Sequence, residues 1–374
     1  MLNRLLEIQL RSRWDSGKAL VVTGPRQVGK TTLLRKLCDE TGHYLLLNAD
    51  EADTRAQLEN SSLTRLRQLI GPYKTVFVDE AQRVRNIGLT LKLITDQLPD
   101  VRLLVSGSSS LDLANEINEP LTGRKFEFAL YPISWQELVG NAGFLAARQQ
   151  LETRLLYGFY PDVVTNLGDE RAILQQLSSS YLYQDLLTLG GIRRPELLDK
   201  LLVALALQVS SEVSYNELAR TLRIDRATVE SYIGLLEKAF IVFRLQPFSR
   251  NLRTEISSSR KVYFYDNGIR NAILADFKPL ALRGDVGALW ENFLVSERRK
   301  VLHYNQLWAR SYFWRTHQQQ EIDYLEEQDG ALRAWEFKWS PTAKARFPKP
   351  FLDTYQPQTA QVVHRDNFEE FVGV

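Results

Sequence analysis

Apolar residues in the first third of the chain fall into short unbroken runs: Ala19-Leu20-Val21-Val22, Tyr44-Leu45-Leu46-Leu47, Thr75-Val76-Phe77-Val78 and Val101-Arg102-Leu103-Leu104-Val105. Segments of helical period separate them, beginning with Leu33-Leu34 and Leu37. Strands that are apolar at nearly every position suit a sheet covered on both faces, and their alternation with helices predicts parallel pairing. From Gln149 to Leu189 the pattern is helical, with Tyr157, Tyr160, Tyr181 and Tyr183 as packing aromatics. A further apolar helix spans Pro195 to Val209. Ser214-Tyr215-Asn216-Glu217 is a capping box opening a short helix. Asp225 caps a second one, with Val229, Ile233 and Leu236 on one face, and a strand follows from Phe240 to Leu245. Two short helices and a strand predict a winged helix-turn-helix, a module that serves DNA contact or domain packing.

Alternation of period two returns in Glu321–Leu325 and Leu332–Trp339, with Asp329-Gly330 between them. Asp-Gly favours a two-residue hairpin turn. Pairing Gln328 with Ala331 across it sets Asp323 opposite Glu336, puts Lys338 on the same face and leaves Trp335, Phe337 and Trp339 behind. Opposed carboxylates about 5 Å apart repel. A divalent cation between them removes the conflict, so Asp323 and Glu336 are candidate ligands for Mg²⁺, with Mn²⁺ as an alternative. Two carboxylates and a lysine in this order resemble the pattern of PD-(D/E)XK nucleases, in which the lysine stabilises charge developing on phosphorus, and Glu291, in the helical segment 288–294, matches the acidic helix residue that such folds add to the metal ligands. A surface hairpin with unrelated charges would show the same letters.

The first strand runs into Gly24-Pro25-Arg26-Gln27-Val28-Gly29-Lys30-Thr31-Thr32 and then a helix. That context reads as a phosphate-binding loop: backbone N–H groups and the helix end face the phosphates, Lys30 reaches the β- and γ-phosphates, and Thr31 supplies a hydroxyl to Mg²⁺. Asp79 and Glu80 end a later strand, where ligands gather in such sheets. Asp79 is the second Mg²⁺ ligand and Glu80 the residue that polarises the attacking water. Ser106, within Ser106-Gly107-Ser108-Ser109-Ser110, either senses the γ-phosphate or caps a helix. Gln82 is placed to relay between the hydrolytic site and a second ligand.

Those motifs, followed by Leu121-Thr122-Gly123-Arg124 and Tyr131-Pro132-Ile133-Ser134, resemble in order the AAA+ domain of a prokaryotic ATPase family whose C-terminal part is domain of unknown function 4143. Lys261-Val262-Tyr263-Phe264-Tyr265-Asp266-Asn267-Gly268 resembles the segment that opens the family's nuclease-like domain. The resemblance implies a five-stranded ASCE sheet and an Arg124 that acts on a neighbouring subunit's nucleotide; a loop salt bridge is the alternative for Arg124. The expected fold class is therefore α/β: an ASCE/AAA+ parallel-sheet ATPase domain at 1–140, a helical lid at 141–195, a winged helix-turn-helix at 196–255 and a restriction-endonuclease-like domain at 256–374.

The expected function is a DNA-directed AAA+ ATPase that binds and hydrolyses ATP, assembles as a homo-oligomer such as a hexamer, and either cuts DNA with a metal or uses a non-cutting nuclease fold as a regulatory platform. Composition changes this little. In 374 residues, 44% are hydrophobic and 25% charged, and the net charge of +2 demands no acidic partner. Nucleic-acid contact must then come from local clusters, and Arg244, Arg250, Arg253, Arg260 and Lys261, with Glu255 among them, form a candidate phosphate-contacting strip. The single cysteine, Cys38, excludes an internal disulfide and a cysteine-rich zinc site. His43, His303, His317 and His364 lack metal-ligand spacing. No apolar run approaches the ~18 residues of a membrane span and the N-terminus has no secretory pattern, so a cytoplasmic location is expected.

Overall fold

The computed structural model describes residues 2–107, 121–181, 194–249, 260–316 and 318–374. Ser108, Ser109, Ser110, Tyr183, Arg250, Arg253, Glu255 and His317 lie outside the described residues. The chain divides into two compact units, one mostly of residues 1–133 and one comprising 134–183, 191–237 and 241–374.

In the first unit helix α1 (Leu6–Ser12) precedes β1 (Ala19–Thr23), helix α2 (Lys30–Asp39), β2 (Leu45–Asn48), β3 (Thr75–Asp79), β4 (Arg102–Gly107) and β5 (Lys125–Ala129). The five strands pair in parallel in the order β2-β3-β4-β1-β5. This is the ASCE arrangement: β4 lies between the strand carrying the glycine loop and the strand ending in Asp79. Every residue of β1 and β3 is buried, which is why these runs show no polar alternation. Ala19, Val21, Val76, Val78, Leu103 and Val105 share one core with Leu58, Leu66, Ile87 and Leu91. Cys38 lies in α2, fully buried, and burial pushes its thiol up to about 12, as core packing requires.

The second unit is built on one seven-stranded sheet in the order β12-β11-β10-β9-β7-β8-β6. Its strands are β6 (Glu212–Val213), β7 (Val242–Pro247), β8 (Arg260–Phe264), β9 (Arg310–Arg315), β10 (Glu321–Gln328), β11 (Ala331–Phe337) and β12 (Thr359–Val363). Helices α3 (Tyr215–Leu222) and α4 (Arg226–Lys238) connect β6 to β7, and both caps are where the sequence puts them. The Ser214 hydroxyl accepts from the Glu217 N–H at 3.3 Å and the Asp225 carboxylate from the Thr228 N–H at 2.8 Å. The strand after them starts two residues later than expected, because Phe240 has a positive φ of 58°. The boundary expected near residue 255 has no counterpart in the sheet: β6, β7 and β8 continue the sheet of the C-terminal hairpin, with β7 paired to β9 through Gln246–Tyr312 and Pro247–Phe313. Of the segment read as a lid, 141–195, the described residues 141–181 and 194–195 belong to this second unit.

The hairpin β10–β11 keeps the expected register from Gln328–Ala331 to Tyr324–Trp335, and Asp329 and Gly330 both have positive φ, as the turn demands. On its other edge β10 carries a bulge against β9 between Ile322 and Leu325. The 19-residue helix α5 (Val286–Tyr304) is stitched to β8 by Asn292. Its side chain accepts the Phe264 N–H at 2.7 Å and donates to the Phe264 carbonyl at 3.1 Å.

Gly268 tests this packing. A Cβ there would lie 2.1 Å from the Tyr157 carbonyl oxygen, a backbone atom that cannot rotate away. Gly268→Ala should destabilise the second unit by about 2 kcal/mol, measured by denaturant unfolding; an unchanged midpoint would show that the segments do not pack this way.

Candidate functional site

At the carboxyl ends of β1, β3 and β4, the loop and the acidic pair come together. Gly24 (φ 147°) and Gly29 (φ 91°) turn the loop, and a Cβ on Gly24 would meet the Leu130 carbonyl at 2.1 Å, so only glycine fits there. Buried Lys30 opens α2 and donates to the carbonyls of Gly24 at 2.9 Å and Pro25 at 2.7 Å. Asp79 is buried at the end of β3, where its Oδ1 accepts the Thr31 hydroxyl at 3.1 Å and, over a shorter distance, the Ser106 hydroxyl. Ser106 Oγ in turn accepts the Glu80 N–H at 3.2 Å. Thr31 and Asp79 thus present two oxygen donors side by side, the set a phosphate-bound Mg²⁺ takes. They would hold that ion, which neutralises phosphate charge when bound. Glu80 has φ 52°, and its Oε2 accepts the Gln82 amide at 2.5 Å.

Within the loop, Pro25 and Val28 are buried, Arg26 is half-buried, and Gln27 is exposed in a left-handed conformation (φ 59°); Thr32, the outermost predicted contact, is exposed. Arg124 is not brought to this cluster: its Nε donates to Asp96 at 2.5 Å, the salt bridge held open as its alternative. Sequence reading missed Arg4, which is buried and donates to the Val28 carbonyl and the Tyr131 carbonyl, each at 2.6 Å. It ties the glycine loop to the segment beyond β5, and its distance from both in sequence left no local signal.

The second cluster lies on the seven-stranded sheet. Asp323 and Glu336 approach each other, but the ladder stops one pair short of them, at Tyr324–Trp335. Asp323 Oδ2 accepts the Phe337 N–H at 2.8 Å instead, beside the bulge that re-aims its strand. Lys338 Nζ lies 2.9 Å from Glu336 and 3.8 Å from Asp323. Glu291, placed over β8 by Asn292, accepts from Lys261 Nζ at 2.9 Å and from the Tyr263 hydroxyl at 2.7 Å, and Lys261 reaches Glu321 at 2.5 Å. Burial pushes Glu291 up to about 7, with neighbouring Asp323 adding to the rise against the opposing pull of Lys261. Burial followed by the charge of Asp323 brings Glu336 to about 7. Burial works to lower the Lys261 pKa, yet Glu291, Asp323 and Glu321 hold it above the ordinary lysine value.

The expected ligands Glu291, Asp323 and Glu336 have Lys261 and Lys338 as ion-pair partners, and among the described residues no three acidic, histidine or cysteine side chains converge to hold an ion. The basic strip loses members. Lys261 is buried in this cluster, and Arg244 pairs with Glu237 and donates to the Tyr215 hydroxyl at 3.3 Å. Tyr263 and Glu321 were missed, although Lys261, Tyr263 and Tyr265 alternate with apolar Val262 and Phe264 as one strand face does.

Family models match the chain in three consecutive segments: an AAA domain at 16–139, a domain of unknown function (DUF8612) at 148–280 and a domain of unknown function (DUF4143) at 286–372. The succession of an AAA domain and a DUF4143 domain supports the resemblance to the prokaryotic AAA+ ATPases that join the two. An uncharacterized protein of Mycobacterium tuberculosis is 29% identical over 338 residues, 89% of this chain and 73% of the relative. One from Methanocaldococcus jannaschii is 25% identical over 327 residues, 80% of this chain and 70% of the relative. Among solved structures, a Walker-type ATPase of Pyrococcus abyssi superposes with a TM-score of 0.51 at 15% identity, covering 73% of this chain and 96% of that one. Among the described residues of this AAA+ protein, no helix is long and apolar enough to cross a membrane.

The buried ion cluster carries a stability prediction. Lys261→Met strands Glu291 and Glu321 without their cation and should cost about 3 kcal/mol or more; adding Glu291→Gln should recover part of it. Equal stability of Lys261→Met and wild type by denaturant titration would show that the cluster is not closed as described.

Proposed function

We propose that this AAA+ protein is a cytoplasmic homo-oligomeric ATPase that hydrolyses ATP with Mg²⁺ and acts on DNA through its second unit. The observation that carries the reading is the Thr31–Asp79–Ser106 hydrogen-bonded set at the end of β3 and β4, with Lys30 and Glu80 beside it. Lys30 supplies the cation for the phosphates, Glu80 orients and polarises the attacking water, and Ser106 holds Asp79 and the Glu80 backbone in register. The helix pair α3–α4 followed by β7 supports a winged-helix contact with DNA. Arg124 is proposed to reach a neighbouring subunit's nucleotide once freed from Asp96.

A second reading concerns cutting. The contacts of Lys261 with Glu291 and Glu321 favour a nuclease-like domain that serves as a platform without metal-dependent cleavage, since an ammonium group sits where a cation ligand set would otherwise form. With Mg²⁺ or Mn²⁺ present, supercoiled DNA should stay intact; nicking that disappears in Asp323→Ala would restore the cutting reading.

Lys30→Ala should abolish ATP hydrolysis, whereas Glu80→Gln should keep nucleotide affinity and lose turnover by about 10² or more. Normal turnover in Glu80→Gln would remove that residue from its role. In the Glu80→Gln protein, ATP and ADP should give DNA affinities, read by anisotropy of a labelled duplex, that differ at least about fivefold; identical affinities would uncouple the DNA from the nucleotide. Mixing Lys30→Ala with Arg124→Ala subunits should restore some hydrolysis that neither has alone, and mixed assemblies that stay inactive would confine Arg124 to its salt bridge.

A further inference from the structure

β3 ends at Asp79 and the chain turns at once: Glu80 takes a left-handed conformation (φ 52°), and Ala81–Arg83 form a single turn of 3-10 helix. A glutamate rarely adopts that conformation, so its neighbours must hold it there. Contacts on both sides fix the backbone. The Glu80 N–H donates to Ser106 Oγ at 3.2 Å, the Glu80 carbonyl accepts the Arg83 N–H at 3.0 Å, and the carbonyl of fully buried Ala81 accepts the Val84 N–H at 3.1 Å. Arg83 Nε also pairs with Asp50, beyond the end of β2, at 2.6 Å. The Glu80 carboxylate therefore starts from a fixed backbone, while the rotatable bonds of its side chain still have to be restrained.

Gln82 restrains them. Its Nε2 donates to Glu80 Oε2 at 2.5 Å across the same turn. An ionised carboxylate only accepts, so the nitrogen of the amide is the atom that must face it. Glu80 Oε1 accepts no hydrogen bond among the described residues, which leaves one oxygen held and one open. A group that polarises water needs that division: a fixed direction and a free lone pair. An amide suits the holding role because it donates without a charge, whereas a lysine or arginine would neutralise the carboxylate. We propose that Gln82 is a positioning residue for ATP hydrolysis that acts through Glu80, holding Oε2 and leaving Oε1 to the water. The inference rests on the reading of this site as an ATPase with Glu80 as its base. In that step the water oxygen bonds to the γ-phosphorus, the bond from phosphorus to the β–γ bridging oxygen breaks with its electron pair leaving on ADP, and the water's proton passes to Oε1. Gln82 itself exchanges no proton.

The test compares the full chain with Gln82→Met, which keeps the length of the side chain and removes the donor. With Mg²⁺ and saturating ATP, turnover should fall about 10- to 100-fold, while KM for ATP and the equilibrium affinity for labelled ADP stay within about twofold of wild type. Gln82→Glu, of the same shape, sets a second carboxylate against the first and should lose at least as much. The effects of the two residues should not add: in a Glu80→Ala background, Gln82→Met should slow the residual single-turnover rate no further. In the nucleotide-free protein, the side-chain amide signal that Gln82→Met deletes from a nitrogen–proton correlation spectrum should shift in Glu80→Ala. Wild-type turnover in Gln82→Met, an additive loss in the double variant, or an amide signal indifferent to Glu80→Ala would each overturn the role of Gln82 and leave the ATPase reading intact. A loss of ADP affinity that matches the loss of turnover would make Gln82 a nucleotide-binding residue and overturn the proposal as well. Absence of turnover in wild type would overturn both readings.

Discussion

Asp79 is buried at the end of β3 and accepts two hydroxyl hydrogen bonds, from Thr31 at the start of α2 and from Ser106 at the end of β4. Three segments far apart in sequence are thereby fixed around one carboxylate. The order β2-β3-β4-β1-β5 makes this possible, because the inserted β4 brings Ser106 between the glycine loop and the acidic pair. A lone buried carboxylate would be costly, and each hydroxyl offsets part of that cost while pre-setting the two oxygens that Mg²⁺ would use. The loop needs a similar constraint on its other flank, where Arg4 bonds Val28 and Tyr131. Preorganisation of this kind lowers the entropy lost when phosphates arrive.

The second unit solves a different problem. It buries charges and pairs them: Lys261 among Glu291 and Glu321, Lys338 with Glu336, Arg298 with Glu326 and Lys300 with Glu297. Such pairs are weak evidence for stability, since removing two charges from water offsets most of their attraction. Their arrangement does fix geometry: Asn292 locks α5 to β8, so Glu291 can only face Lys261 and Tyr263.

Legibility followed sequence distance. The glycine loop, the acidic pair, both caps of the α3–α4 helices and the register of the Asp329-Gly330 hairpin depend on neighbours within a few residues, and all were readable. The ASCE order came from the family resemblance, since strand order leaves no local trace. Arg4 and Lys261 were missed or misassigned because their partners lie at 28 and 131, and at 291 and 321. Arg244 and Lys261 looked like surface cations by composition alone, and only the partners show them occupied. The division near residue 255 failed for a related reason: a strand following two helices reads as a wing, while its free edge pairing with β9 is a tertiary event that propensity does not report.

Steady-state ATP turnover of the full chain, measured alone and with duplex, single-stranded and branched DNA, tests the central claim most directly. The account predicts measurable Mg²⁺-dependent turnover that at least one DNA form raises severalfold. Turnover that no DNA form changes, or no turnover with Mg²⁺ and ATP under any of these conditions, would contradict it.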